Sequence, residues 1–321
     1  MHTILLTRIF QTSSDELQRF NLVQSHLGDF SSGITLWYHP LTTTDDGDVL
    51  SLLCSVKVDA LKYFQIENTT ASHIQTLLCH LDKLLSYGGF TLADMTVSRV
   101  DYCYNCRIED EKVRQTLFDA LQKCPTKAIY TVRGVNYATS IYSRSKSKVV
   151  NVYDKTAERE AKYRSTGSRM ALPQSYEQDI VRMELQVKTE HLKYMARRGF
   201  ARTVTNWINV GTEARYLEKL YGMFPKGDFF TLEQAESLIV SSKYSKTIKN
   251  NLIKFIRIIA KSNMDVAKTK LSYNTYRRYL NLLGDLGINP ITIPDDCGLQ
   301  YIKSPFTFPS PTVSTIPSAS T

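Results

Sequence analysis

The sequence predicts an α+β fold: an antiparallel-rich sheet with packed helices, followed by a helical region. Three observations predict it. TVSRVDYCYNC (96–106) and IVRMELQVK (180–188) alternate with a period of two, as strands do. Amphipathic helical stretches lie between the strands, clearest at 72–86, where Ile74, Leu77, Leu78, Leu81, Leu84 and Leu85 share a face. After about residue 200 the strand signals fade and helical ones continue. The expected division is therefore an α+β domain over 1–200, a helical region over 201–300 and a Ser/Thr/Pro-rich, disordered tail over 301–321.

In chain order, 2–9 reads as a first strand and 13–27 as a short helix. Strands at 33–39 and 49–58 are joined by a turn, TTTDDGD, at 42–48. Residues 60–64 make one helical turn before the 72–86 helix. In 96–106, strict alternation places Val97, Arg99, Asp101 and Cys103 on one side and Ser98, Val100, Tyr102 and Tyr104 on the other. Residues 109–124 form a helix. The stretch 129–142 is strand-rich, with a turn near Gly134. Val149, Val150 and Val152 then give a strand or extended turn, and TAEREAK opens a helix. A polar loop covers 165–174. In 180–188, Val181, Met183, Leu185 and Val187 form an apolar face and Arg182, Glu184, Gln186 and Lys188 a polar one, predicting one side in a core and one in a polar cleft. Helices are expected near 203–222, 231–242, 245–262 and 272–286.

At 321 residues, 42% hydrophobic and 22% charged, the chain has room for a sizeable core. The net charge of +9 points to a polyanion, nucleic acid before a membrane surface. Between 243 and 278 there are ten Lys/Arg and one acid, Asp265, so this segment carries +9 and the rest sums to zero. The six cysteines read as reduced thiols, since the C-x-x-C of Cys103 and Cys106 lacks a second pair to complete a zinc site. MHTILLTRIF has too short an apolar run for a signal peptide, and no run approaches the ~18 residues of a membrane span. These features predict a cytoplasmic chain with no membrane partner.

The chemistry centres on YSRSKSKVVNVYDKTAERE, 142–160. A strand delivers Tyr153 to the start of a helix, amid Arg144, Lys146, Lys148 and Lys155. Cations and helix-start amides around a phenol suit attack on a phosphate. The ordinary reading of any one of the 19 tyrosines is a half-buried strand residue with its hydroxyl in water. A phenol ionises near about 10 and needs help at neutral pH; Lys155 and Lys148 are the candidates. Glu158 either reaches a metal or orients Lys155, or it pairs with Lys162 one turn on.

Two strands repeat a basic-x-acid pattern, Arg99-Val-Asp101 and Arg182-Met-Glu184. If they are neighbours, Asp101 and Glu184 converge in a hard, oxygen-rich site suited to Mg2+ or Mn2+. The plainer reading is two surface ion pairs. The six histidines are scattered without metal-ligand spacing, with His39 the one to watch. No Gly-rich phosphate loop supports nucleotide hydrolysis.

SRVDYCYN (98–105), KVVNVYDKTAERE (148–160) and IVRMELQVKTEHLKYM (180–195) resemble, in order and spacing, the gene II replication initiators of filamentous phages. Plasmid rolling-circle initiators share the first two patterns loosely, and the likeness runs from roughly 50 to 288. The resemblance implies a nicking endonuclease domain whose tyrosine breaks one strand of a double-stranded origin. It becomes joined to the 5′ phosphate and leaves a 3′ hydroxyl primer. Tyr153 would be the nucleophile, with Lys155 beside it, and Asp101 and Glu184 the metal-binding acids. Arg99, Arg182 and Glu158 are accessory candidates. Many relatives bind metal through a His-hydrophobic-His motif that this chain lacks, so a third ligand is unassigned. Some relatives use two tyrosines, and Tyr163 is the candidate second.

In 245–262, Ile248, Leu252, Phe255, Ile256 and Ile259 line one face and Lys246, Asn250, Lys254, Arg257 and Lys261 the other, a phosphate track opposite a core stripe. The next helix is expected to have Ser272 as N-cap and Gly287 as its terminating residue, with Tyr276, Arg277 and Arg278 placed for a major groove. With Arg144, Lys146 and Lys148 these form the expected DNA contacts. The expected partners are double-stranded origin DNA, single-stranded DNA, and a host helicase and polymerase in the bacterial cytoplasm, with homo-oligomer formation on DNA left open. The rival reading is a non-catalytic DNA-binding replication regulator of the same fold. A structural RNA-binding protein fits the basic helices but not the acid pair.

Overall fold

The structure, a computed structural model, describes residues 1–11, 15–30, 32–43, 49–124, 132–133 and 138–306. Most of the expected 42–48 turn, part of the 129–142 stretch and most of the tail lie outside these residues. The fold is α+β, as the alternation predicts. The chain forms two compact units, neither of them continuous in sequence. One comprises Met1–Tyr104, Lys146–Val149 and Glu184–Leu217; the other comprises Asn105–Ser145, Val150–Met183 and Glu218–Thr321.

The first unit is built on β1 (Thr3–Gln11), β2 (Ile34–Thr43) and β3 (Val49–Asp59), joined by β4 (Thr96–Arg107) up to residue 104 and β8 (Ile180–Lys188) from residue 184. The strand order is β2-β3-β1-β4-β8. β1 runs antiparallel to both β3 and β4, and β2 antiparallel to β3. Ile4 and Leu6 point into the core beside Val58 and Val56 on one neighbour and Val100 and Val97 on the other. Helix α1 (Glu16–Ser25) packs on β1 and on α3 (Ala71–Ser86). Phe20 of α1 lies 5.2 Å from Phe10 and 5.7 Å from Phe90, ring centre to ring centre.

One expected pattern is corrected here. Strict alternation puts Val97 with Arg99 and Asp101. The β1–β4 register instead shifts between Leu5 and Leu6, so that Leu6 faces Val97 while Leu5 faces Arg99 and Thr3 faces Asp101. A bulge adds one residue to β4 and turns Val97 onto the core face with Val100. Arg99 and Asp101 keep the polar face. The unit is completed by α2 (Ala60–Phe64), α6 (Thr189–Ala196), α7 (Val204–Trp207) and the first residues of α8 (Val210–Tyr221). Tyr102 donates to the carbonyl of Trp207 at 2.7 Å and stacks on Tyr216 at 5.1 Å.

In the second unit, residues 150–154 of β7 (Lys148–Asp154) precede α5 (Lys155–Thr166), beside β6 (Ser140–Arg144) and the short β5 (Val132–Arg133). Two helices here start on aspartates. Asp110 accepts from the amides of Lys112 and Val113 to begin α4 (Glu111–Leu121), and Asp154 accepts from Ala157 to begin α5.

Four helices follow in this unit: α9 (Leu232–Ser241), α10 (Lys246–Lys261), α11 (Met264–Thr269) and α12 (Tyr273–Asp285). Leu252, Phe255, Ile256 and Ile259 of α10 are buried with Ile239, Met264 and Leu283. A two-stranded pair, β9 (Phe229–Phe230) with β10 (Tyr301–Ile302), lies in the same unit. Gly227 has φ +98°, and a side chain there would stand 2.4 Å from the backbone of Ile288. Only glycine fits that approach. Ser272 caps α12 by accepting from Thr275, and Gly287 closes it with φ +72°, both as expected. No helix of the described residues is long and apolar enough to cross a membrane.

Candidate metal centre and tyrosine segment

The first unit gathers His2, Asp101 and Glu184 so that one ligand atom of each lies within 4.8 Å of the others. Strand pairing makes this cluster. The amide of His2 donates to the carbonyl of Asp101 at 2.8 Å, and the carbonyl of His2 accepts from Ala60 at 2.8 Å. β4 and β8 are neighbours, which brings the two acids onto one patch. Their carboxylates therefore meet well inside the ~10 Å that one shared cation spans.

Each donor is held by a second group. Arg99 grips Asp101 with two hydrogen bonds, 2.8 and 2.5 Å long. Gln186 donates to Glu184 at 3.2 Å. His2 has Nδ1 3.6 Å from Glu184 Oε1, and its Nε2 is 3.3 Å from Asp59 Oδ2. A carboxylate on one ring nitrogen leaves the other for a cation. Asp101 is wholly buried, and burial pushes its pKa up to about 6; Glu184's charge adds to the rise while Arg99 and His2 oppose it. An imidazole and two carboxylates form a hard donor set that fits Mg2+ or Mn2+.

The expected open cleft along β8 is closed at this point. Arg182 is 1% exposed and Glu184 4%, so the strand is buried on both faces there. Arg182 does not pair with its own neighbour; its Nε donates to Asn105 at 2.8 Å.

In the second unit Tyr153 is half-buried at the end of β7. The next residue, Asp154, both caps α5 and accepts from Arg114 Nε at 3.0 Å. This fixes the strand-to-helix turn behind the phenol. Lys155 Nζ stands 5.9 Å from the centre of the Tyr153 ring. It donates to Glu158 at 2.7 Å and lies 3.6 Å from Glu177. Glu158 therefore pairs with Lys155, not with Lys162. Burial lowers the Lys155 pKa, Arg182's charge adds to that, and Glu158 and Glu177 oppose it. For Glu177, burial resists ionisation, but the paired hydrogen bonds from Arg159 and the charge of Lys155 outweigh it and hold the carboxyl below its usual range.

The other expected residues scatter. Arg144 is exposed on β6 and Lys146 is exposed in the first unit, where Lys148 stands 5.8 Å from the Tyr216 ring. Tyr163 is 37% exposed on α5. Lys246, Lys254 and Lys261 are exposed on α10, opposite its core stripe. Arg257 joins them but is clamped to Glu236 by two 2.6 Å hydrogen bonds. Arg277 and Arg278 are exposed on α12, with Arg277 over the ring of Tyr273. Tyr276 is buried edge-on against Phe255 at 5.7 Å, so it belongs to the core and not to a groove-reading face.

Sequence reasoning missed His2, Asp59 and Glu177. None sits in a motif, and each is placed by strand register or by a loop. His39 lines a groove with Trp37 and Arg202, apart from the three donors.

Residues 61–210 match the family model for the N-terminal part of the gene II replication-associated protein, and with it the gene II replication initiator family. The matched stretch contains Asp101, Tyr153, Lys155 and Glu184, while His2 precedes it. No curated protein and no solved structure matches the chain.

Proposed function

We propose that this replication-associated chain initiates rolling-circle replication by nicking one origin strand through Tyr153 and later rejoining it. The observation that carries the reading is the enclosure of Asp101 and Glu184 with His2, their ligand atoms within 4.8 Å. Two carboxylates kept out of water at that separation repel each other, and a cation relieves both costs.

In the proposed step Tyr153 Oη forms a bond to the phosphorus and the bond from phosphorus to the 3′ oxygen breaks. The 5′ phosphate stays on the tyrosine. The phenol loses a proton, and the departing 3′ oxygen gains one. Lys155 is the proposed holder of that proton, since its buried ammonium releases one more readily than an exposed lysine does. Glu158 and Glu177 orient it. His2, Asp101 and Glu184 are the proposed donors to Mg2+ or Mn2+, which when bound stabilises charge on the phosphate oxygens. The new phosphotyrosine is close in energy to the bond it replaces, so the step reverses and the strand can be rejoined. Water would discard that energy. The proposed DNA track is the basic face of α10 with Arg277 and Arg278. The host's helicase and polymerase would extend the 3′ end in the bacterial cytoplasm.

The test uses supercoiled double-stranded DNA carrying the element's own origin, with Mg2+ or Mn2+. Relaxation with a covalent protein–DNA product is expected, and Tyr153→Phe should lose both while still folding and binding DNA. An adduct surviving in that variant would remove Tyr153 from its role and turn attention to Tyr163.

A further inference from the structure

We infer that the cavity beside Tyr153 is a nucleotide subsite, which holds the unpaired base next to the scissile phosphate. The inference rests on the nicking function proposed above. The cavity lies between β6, β7 and α5 and has a volume of about 780 Å³. That is within the ~300–1,000 Å³ of sites that take small ligands, so a nucleotide fits.

The lining suits a base. Ile141, the Tyr142 ring and Ala161 offer surface for a planar group, and Lys162 and Arg164 stand at the α5 side with charge for a phosphate. The two acids that also line it are engaged. Asp154 caps α5 and holds Arg114; Glu158 holds Lys155. What remains toward a ligand is cationic.

Asn151 supplies the specific element. It lines the same cavity, and its Oδ1 is buried with no hydrogen-bond partner. A buried amide oxygen without a donor is unfavourable. An N–H on a base edge is the donor that oxygen lacks, and the amide nitrogen beside it pairs with a base acceptor, as carboxamides do when they read bases. Asn151 and Tyr153 are two residues apart on β7, so they share one face about 7 Å apart. A base held at Asn151 thus sits one short step from the phenol. A paired base cannot enter such a cavity, so the ligand is single-stranded DNA.

The experiment first maps the nick on the element's own supercoiled DNA from the 5′ end left on the protein. Single-stranded 20-mers across that position are then made intact, or abasic at one nucleotide on either side. Binding is read by fluorescence anisotropy with the Tyr153→Phe protein, which keeps the DNA uncut. One abasic site should weaken binding about tenfold, within the range of a stacked base. Asn151→Ala should weaken the intact oligonucleotide and leave the abasic one nearly unchanged, because both changes remove the same contact. Ala161→Trp fills the cavity from an exposed helix position and should reproduce the loss. Melting temperatures near that of the parent show that the variants fold. Penalties for Asn151→Ala and the abasic site that simply add, or no effect of Ala161→Trp, would overturn the subsite while the nicking function stands. No adduct with the unaltered protein would overturn the nicking function and the subsite with it.

Discussion

Asp101 has its carboxyl enclosed, beside a second carboxylate and gripped by one arginine. Its pKa, raised to about 6 mainly by burial, means that folding without a cation favours the protonated acid. In the unfolded chain the same group ionises near about 3.9. Between those values the folded state binds more protons, so this group's contribution makes stability fall as pH rises from about 4 through about 6. A divalent cation competes with that proton and restores the lost stability. Mn2+ should therefore raise Tm more at about pH 7.5 than at about pH 5. Asp101→Asn should abolish the difference, and melts that shift equally at both pH values would argue against a cation at these residues. His2→Ala belongs to the same scale. It should weaken Mn2+ binding, read by electron paramagnetic resonance, by roughly 10–100-fold, and Asp59→Ala should weaken it through the ring it orients.

At the scale of elements, what could be read from the sequence divides along a physical line. Helix faces and strand alternation depend on neighbours within one segment. The α10 stripe, the Ser272 cap, Gly287 and the pairing of β4 with β8 were legible for that reason. The bulge in β4 was not, because a one-residue shift is set by the partner strand β1. The same holds for His2, whose place depends on which residue of β4 lies across from β1. The Arg257–Glu236 clamp joins residues 21 apart in sequence, so α10 alone gave no sign that one of its cations was already paired. The two aspartate caps give a prediction at this scale. Asp110→Ala removes a cap alone and should destabilise by about 1 kcal/mol. Asp154→Ala removes a cap and also strips buried Arg114 of one partner, though Asp179 remains 2.9 Å from it. A cost of about 2–3 kcal/mol is expected, measured by urea unfolding. Equal costs would show that the Arg114 contact adds nothing to holding the turn behind Tyr153.

Over the whole molecule the net charge is +9, and residues 243–278 account for all of it. The three clustered donors, by contrast, carry two acids. Binding to duplex DNA and chemistry on a melted strand should therefore respond differently to salt. Releasing counterions gives a slope of about −0.9 per phosphate neutralised on duplex DNA and about −0.7 on a single strand. Lys246, Lys254 and Lys261 are exposed cations on α10, whereas Arg257 is balanced by Glu236. Replacing the three lysines with Ala should make the plot of log affinity against log salt shallower by about 2–3 for duplex origin DNA. Arg257→Ala should change it less, and Glu236→Gln should strengthen binding by releasing the arginine to a phosphate. Nicking of a saturating, pre-melted single-stranded site should be nearly unaffected in all of these variants, because the reacting groups are untouched. If the triple variant keeps the parent's slope, α10 does not carry the duplex. If it loses nicking of the melted site at saturation as well, the charge excess acts in the chemical step, and binding and cutting are not separable functions of this chain.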